Sequence, residues 1–167
     1  MDRVFIETKM VADDAGAISG LAWKFGTPDR VGDDILPGAF KSAKMPIPIL
    51  FGHDMNDPIG TWDVATEKSD GLHLTGKLLV DDVARAREVR ALVQSGAVRG
   101  LSIGFITKSA SPRVGGGRTI KSLELLEASL VTIPMHPGAK VTSAKSAVTA
   151  ISLAAAINRA AAQIGRN

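Results

Sequence analysis

The sequence AVRGLSIGFITK at residues 97–108 decides between an α/β fold, in which a helix follows the central serine, and a fold in which the strand continues. It contains the pattern G-x-S-x-G centred on Ser102, which in α/β-hydrolases places a serine on a sharp turn between a strand and a helix. The residues after this serine, 103–108, are mostly β-branched or aromatic and predict a continuing strand. Because the motif is met without the helix that it requires, we disfavour the α/β-hydrolase fold.

Strands are also predicted on both sides of this stretch. The predicted strands are 4–10, 17–25, 46–51, 59–65, 72–80, 97–108 and 118–133, and the predicted helices are 37–41, a segment capped by Asp81 and Asp82 that runs to about residue 95, and 147–164. Prolines in 46–51 indicate an edge or terminal strand. Strands and helices do not alternate regularly, so the predicted class is α+β, mainly antiparallel β and barrel-like. We assign 1–142 to one domain and 143–167 to an Ala-rich C-terminal helical arm.

The composition excludes several classes of protein. The 167 residues contain no cysteine, so disulfide frameworks, zinc ribbons and thiol chemistry are not available. Only 4% of the residues are aromatic and tyrosine is absent, which argues against a base-stacking surface and a specific nucleic-acid partner. The three histidines have no ligand-like spacing, so we expect neither a metal nor a cofactor.

Hydropathy and charge limit the classes of partner that the sequence predicts. The apolar run 150–157 is too short to span a membrane, and the first residues lack the apolar core of a signal peptide; we expect a soluble protein of a reducing compartment with no membrane partner. Residues 1–83 carry 8 basic and 14 acidic side chains, whereas 84–167 carry 12 and 3. The basic half either docks on an acidic partner or presents ordinary solvated faces.

Three residues are candidates for nucleophilic chemistry. Ser102 lies between two glycines, which either opens it to an approaching backbone or marks a crowded point of the sheet. His53 lies where an apolar strand gives way to a polar loop, a common place for a functional side chain. Strand alternation puts Glu127 on the apolar face of 123–131, opposite to Glu124, where a carboxylate requires a partner. That partner is either a histidine or one of the many arginines.

The other two histidines are weaker candidates for a general base. His73 lies in an alternating strand and is expected to face solvent. His136 lies in the rigid loop Pro134-Met135-His136-Pro137, just after the last predicted long strand.

Six segments in order and spacing closely resemble the prohead maturation proteases of tailed bacteriophages. The resemblance covers residues 16–141, most of the chain. The segments are GLA at 20–22 with FG at 25–26, LPGAF at 36–40, GHD at 52–54, PIG at 58–60, GLSIGF at 100–105 and LEASLVT at 126–132.

The resemblance implies a fold and a set of roles. The phage family is similar in fold to the herpesvirus maturation proteases, which are serine proteases built on a closed β-barrel with a few surrounding helices. It implies that Ser102 is the nucleophile, His53 the general base and Glu127 the group that orients the histidine. It also implies that the substrates are the major capsid protein, scaffold segments and the protease itself, cut inside the immature head in the bacterial cytoplasm.

One position departs from the phage pattern. The family's segment after the last strand usually reads Pro-Ala-Asn-Pro, whereas His136 stands here in the asparagine position. Three roles stay open for it: a neutral replacement, a neighbour that alters the pH response of the site, or a competing third member. Backbone N–H groups near Ser102 or in 134–139 are the candidates for an oxyanion hole.

Two alternative functions remain at this point. One is a catalytically silent scaffold or capsid-assembly module with the same fold, which uses its basic half to hold an acidic partner. The other is an esterase-type hydrolase that uses Ser102, Glu124 or Glu127, and His136. The sequence leaves a homo-oligomeric state open.

Overall fold

The structure is a computed structural model that describes residues 13–142. This part of the chain contains eight strands and one helix. In chain order they are β1 (Ala17–Lys24), β2 (Asp34–Ile35), β3 (Ile47–Phe51), β4 (Pro58–Lys68), β5 (Gly71–Leu78), α1 (Ala84–Ser95), β6 (Gly100–Pro112), β7 (Arg118–Val131) and β8 (Lys140–Thr142). The predicted strand 4–10, the predicted helix 147–164 and the arm 143–167 lie outside the described residues.

Seven of the strands close into a barrel. Their order is β7-β3-β4-β5-β1-β8-β6, and β6 pairs back onto β7. Neighbouring strands are antiparallel except β3 and β7, which run parallel, and β2, which adds to β7 in parallel next to β3. The predicted class, a mainly antiparallel barrel, is therefore confirmed, and so are the two predicted hairpins β4–β5 and β6–β7.

Aliphatic side chains fill the barrel, because inward and outward residues alternate along each strand. Each fully buried leucine or isoleucine contributes about 1.5–3 kcal/mol. Trp62 is fully buried, and its indole N–H donates to the Ala128 carbonyl at 3.0 Å. The largest other fully buried side chains are Ile18, Ile35, Ile49, Leu50, Ile59, Leu72, Leu74, Leu78, Leu101, Ile120 and Leu123. Ile120, Leu123 and Leu125 of β7 belong to this packed core.

Two predictions about helices are wrong: the short helix 37–41, and the capping of the next helix by Asp81 and Asp82. The segment predicted as helix 37–41 forms successive hydrogen-bonded turns instead, because Gly38 has a φ of +89° that no right-handed helix accommodates. Helix α1 ends at Gly96 as predicted, but its N-cap is Val83, without a side-chain hydrogen bond. The Val83 N–H donates to the Leu79 carbonyl at 2.8 Å, and this turn carries Asp81 and Asp82 away from the cap position.

The prediction that 46–51 is an edge or terminal strand is wrong. β3 lies between β4 and β7, inside the barrel wall. Pro46 precedes the strand, and Pro48 comes before Ile49, where the ladder with β7 begins. The missing N–H groups therefore do not interrupt the parallel ladder.

Neither a membrane helix nor a metal cluster occurs in residues 13–142. No helix there is long and apolar enough to cross a membrane. No group of three or more histidine and carboxylate side chains is placed there to hold a metal ion.

Candidate active site

A strained turn presents His53 at the end of β3. Gly52 and His53 both have a φ of +64°, and His53 is the single non-glycine residue with a positive φ in the described part of the chain. The Asp54 N–H closes the turn by donating to the Phe51 carbonyl at 3.2 Å. A non-glycine residue in this conformation costs about 1–3 kcal/mol and persists only where its surroundings hold it. The surrounding structure therefore holds His53 in a strained conformation, which indicates that the position of its side chain is important.

The imidazole of His53 pairs with Glu127 on β7. His53 Nδ1 lies 2.8 Å from Glu127 Oε1, with the histidine side chain 45% exposed and the glutamate side chain 6% exposed. Because a carboxylate accepts hydrogen bonds, Nδ1 is the nitrogen that carries the proton. In the neutral imidazole, Nε2 then presents its lone pair on the other side of the ring. The partner of Glu127 is thus a histidine and not an arginine.

A buried serine, Ser129, forms hydrogen bonds to both His53 and Glu127, and the sequence did not single it out as a functional residue. The Ser129 hydroxyl donates to Glu127 Oε2 at 2.6 Å and accepts the backbone N–H of His53 at 3.1 Å. Ser129 is completely buried. Its placement on the face of Glu127 was visible in the strand alternation, but its contact with His53 depends on the parallel pairing of β3 with β7.

Ser102 lies on β6, on the same face of the sheet. It is directly opposite Ser129 in the antiparallel ladder, and Gly104 is directly opposite Glu127. Facing residues in such a ladder have Cβ atoms about 4.5–5.5 Å apart. Ser102 is 5% exposed and lines a small cavity that Met135 and His136 also line. The strand pairing therefore brings Ser102, Glu127 and His53 to one region of the barrel wall.

Gly104 makes room for the carboxylate. A Cβ atom at this position would overlap Glu127 Oε1 and lie 2.9 Å from Cγ. Of the two alternatives that the sequence left open for these glycines, Gly104 therefore fits a crowded point of the sheet, and the group that crowds it is Glu127.

His136 is held by the backbone on both sides of its ring. It is 2% exposed; its Nε2–H donates to the Thr27 carbonyl at 2.8 Å, and its Nδ1 accepts the Gly138 N–H at 2.9 Å. Burial lowers the pKa of His136 below its ordinary value of 6.5. Both ring nitrogens are occupied, so this histidine has none left for Ser102 or Glu127. Of the three open roles, these contacts favour the neutral replacement.

The remaining candidates lie elsewhere. His73 is partly exposed and pairs with Asp70, with Nε2 and Oδ1 2.8 Å apart. Glu124 is exposed on the opposite face of β7 and pairs with Lys108. Neither belongs to the cluster around Ser102.

Two arginines hold the loops around the cluster. The Arg85 guanidinium of α1 lies 4.6 Å from the centre of the Phe51 ring and bonds Asp57 at 3.1 Å, which braces the His53 turn from outside. Arg30 donates from its backbone N–H to the Met135 carbonyl and from Nε to the Pro134 carbonyl, both at 3.2 Å. The loop after β7 is thereby fixed beside Ser102.

The closed, mainly antiparallel barrel gathers Ser102 of β6, Glu127 of β7 and His53 of the turn after β3 in one region of its wall. The family described as Caudovirus prohead serine protease matches residues 5–152. The chain belongs to this family, as the six sequence segments indicated.

Individual relatives agree with the family. The chain is 34% identical to the prohead protease of Enterobacteria phage HK97 over 138 residues, which are 78% of this chain and 61% of that protein. It is 35% identical to the capsid polyprotein of Pseudomonas phage PAJU2 over 147 residues, 84% of this chain and 22% of that protein. The chain thus spans less than two thirds of the length of these relatives.

The structural comparison concerns the fold alone. The KSHV protease, solved in complex with a hexapeptide phosphonate inhibitor, superposes with a TM-score of 0.53 at 17% identity, covering 75% of this chain and 63% of that one. The predicted likeness to the herpesvirus protease fold is confirmed.

Proposed function

We propose that this chain is a serine endopeptidase that cleaves the major capsid protein, scaffold segments and itself during phage head maturation. The observation that carries the proposal is the hydrogen bond of 2.8 Å between His53 Nδ1 and Glu127 Oε1. In the neutral imidazole this bond keeps the proton on Nδ1, so Nε2 is the nitrogen that can accept the Ser102 proton as a general base. The family supports the same activity, since its description names a prohead serine protease.

The proposed reaction is acyl transfer. Ser102 Oγ attacks the peptide carbonyl carbon while His53 Nε2 takes the hydroxyl proton, and the carbonyl electron pair moves onto oxygen. The tetrahedral intermediate collapses, the C–N bond breaks, and Nε2 gives its proton to the leaving amine. Water then attacks the acyl-enzyme with His53 again as the base, which releases the new carboxyl terminus and restores Ser102.

Glu127 acts on the histidine in this scheme. It holds the imidazole with the proton on Nδ1 and stabilises the positive charge that the ring acquires in each transition state. The growing negative charge on the substrate oxygen requires backbone N–H donors, for which the candidates are those near Ser102 and in the loop 134–139. Removing one such donor costs about 10²–10³ in rate.

The expected site of action is the immature head in the bacterial cytoplasm. The relative from Pseudomonas phage PAJU2 is named a capsid polyprotein, which supports a substrate that is synthesised with or near the protease. No cofactor enters the proposed reaction.

Co-expression with the cognate capsid protein tests the proposal. Wild type should shorten the capsid protein, and Ser102→Ala and His53→Ala should leave it at full length. Ser109→Ala, at an exposed serine of the same strand, should process it as wild type does. Unchanged processing by Ser102→Ala would overturn the serine assignment, and processing lost in His136→Asn but kept in His53→Ala would favour the esterase-type arrangement. Absence of processing by wild type, with assembly intact, would favour the silent scaffold.

A further inference from the structure

The Ser129 hydroxyl joins the two halves of the candidate site. It donates to Glu127 Oε2 at 2.6 Å and accepts the His53 backbone N–H at 3.1 Å. Glu127 Oε1 in turn contacts the imidazole of His53 at 2.8 Å. These three contacts form a closed ring of hydrogen bonds through the backbone and side chain of one histidine.

We propose that Ser129 is a positioning residue of the active site. It holds the His53–Glu127 pair in the geometry that Ser102 needs, and it does not itself touch the substrate. This inference rests on the proposed peptidase function and extends it by one residue.

The strand does not need this hydroxyl for its own structure. The backbone of Ser129 is paired on both sides, opposite Leu50 on β3 and opposite Ser102 on β6. An alanine there would keep the ladder and the small volume. The hydroxyl therefore has a use beyond the fold, and that use lies in its two partners.

Glu127 and His53, the two partners of the Ser129 hydroxyl, are both held in place by their hydrogen bond to it. The carboxylate of Glu127 contacts His53 through Oε1 only, and its bond from Ser129 on Oε2 stops rotation about the last side-chain torsion. His53 has a φ of +64° and is held in that strained turn by its own N–H and by the Gly52 N–H, which donates to the Leu130 carbonyl at 3.0 Å. Without the hydroxyl, one of the two hydrogen bonds that tie the turn to β7 and one of the two hydrogen bonds of the carboxylate are lost.

Ser129 also lies beside the candidate nucleophile in the ladder of β6 with β7. Because Ser129 faces Ser102 directly, the same residue that fixes the histidine and the carboxylate is the cross-strand neighbour of the attacking serine. A displacement of about 1 Å in such a constellation costs about 10²-fold in rate.

Steady-state kinetics on a peptide spanning a processed junction test this role. Ser129→Ala should lower kcat about 10–100-fold with KM within about 2-fold of wild type, since the substrate contacts are unchanged. Ser129→Thr, which keeps the hydroxyl, should recover most of the loss, whereas Ser129→Cys, with a thiol that is a weak donor, should not. Ser19→Ala is the matched control, because its hydroxyl also bonds a strand partner, the Thr142 carbonyl at 2.6 Å, away from the site.

Proton NMR separates this inference from the peptidase proposal. In a Ser102→Ala background, which needs no turnover, the His53 Nδ1 proton should give a protected downfield signal that broadens on Ser129→Ala and persists on Ser19→Ala. If wild type cleaves nothing but this difference is seen, the peptidase proposal fails and the positioning role stands. If Ser129→Ala or Ser129→Cys keeps the wild-type kcat, or the Nδ1 signal is unchanged, the positioning role is wrong.

Discussion

His53 Nδ1 and Glu127 Oε1 lie 2.8 Å apart although 74 residues separate them in the chain. Their meeting depends on the parallel alignment of β3 with β7, in which Leu50 pairs with Ser129 and Phe51 with Leu130. β3 therefore ends beside Glu127. The turn that follows β3 brings the His53 imidazole into contact with the Glu127 carboxylate.

Neutralising the carboxylate should impair catalysis without unfolding the barrel. In Glu127→Gln the amide can present a donor to His53, which favours the tautomer with the wrong nitrogen protonated. We expect kcat to fall about 10²–10⁴-fold, as happens when the acid of a serine triad becomes an amide. Glu124→Gln, on the exposed face of the same strand, should keep wild-type kcat. Equal activity of both variants would contradict the role of Glu127.

Adding one methyl group at Gly104 should displace Glu127. The new Cβ would overlap the carboxylate, so either the glutamate moves from His53 or the two strands separate. We expect Gly104→Ala to lose about 10-fold or more in kcat and about 1–3 kcal/mol in the free energy of unfolding. Gly115→Ala is the control for kcat alone, since a Cβ there meets nothing within 4 Å but the φ of +91° strains an alanine. Wild-type turnover by Gly104→Ala would argue against the placement of Glu127.

His136 should make the fold sensitive to mild acid. Burial lowers its pKa, so below its unfolded value of about 6.5 the unfolded chain binds more protons than the folded one. The free energy of unfolding should therefore fall as the pH drops from about 6.5 toward the lower folded pKa, by at most about 1.4 kcal/mol per pH unit.

Replacing His136 by asparagine should reduce that dependence. An asparagine carbonyl can accept the Gly138 N–H two residues on, in the way that Asx turns do. Urea unfolding of wild type and His136→Asn at about pH 7.5 and about pH 5.5 measures the effect. His73→Asn, at a partly exposed histidine that pairs with Asp70, is the control and should keep the fall in stability toward acid. An identical pH dependence in His136→Asn and wild type would refute this origin.

The ion pair between Asp33 and Arg118 should stabilise the turn end of the β6–β7 hairpin. The Arg118 guanidinium beside Asp33 holds the pKa of that carboxyl below its usual value of 3.8. Because the folded pKa is depressed, the stabilisation is complete above the unfolded value and is lost as the pH falls through the folded one.

Removal of the charge measures this contribution. Asp33→Asn should lower the free energy of unfolding by about 1–2 kcal/mol at neutral pH, a value reduced because half of the Arg118 side chain is exposed. The difference from wild type should shrink as the pH falls below 3.8 and through the lower folded pKa, where Asp33 becomes protonated and loses its charge. Asp63→Asn, at an exposed carboxylate, should change little. If the loss of unfolding free energy in Asp33→Asn does not change with pH, the ion pair is not its cause.

Much of the barrel was predictable because its long strands alternate or contain continuous apolar runs. The two hairpins and the end of α1 follow from local turn and cap residues. The strands β2 and β8 were missed because they contain two and three residues and exist only through pairing with β7, β1 and β6. The inner position of β3 was missed because a proline-rich strand is normally an edge, and here both prolines precede the parallel ladder.

The candidate site was predictable to a different depth at each residue. Ser102, His53 and Glu127 carry local signals: flanking glycines, a strand end, and a carboxylate on an apolar face. The function of Ser129 requires the register of two ladders, and the contacts of His136 require a carbonyl 109 residues away. Neither is written in the local sequence pattern.

The attachment site of a fluorophosphonate probe tests the central claim most directly. Peptide mapping of the labelled protein should place a single adduct on Ser102, with labelling strongly reduced in His53→Ala and unchanged in Ser109→Ala. A probe attached to another serine, or equal labelling after Ser102→Ala, would contradict the assignment of the nucleophile.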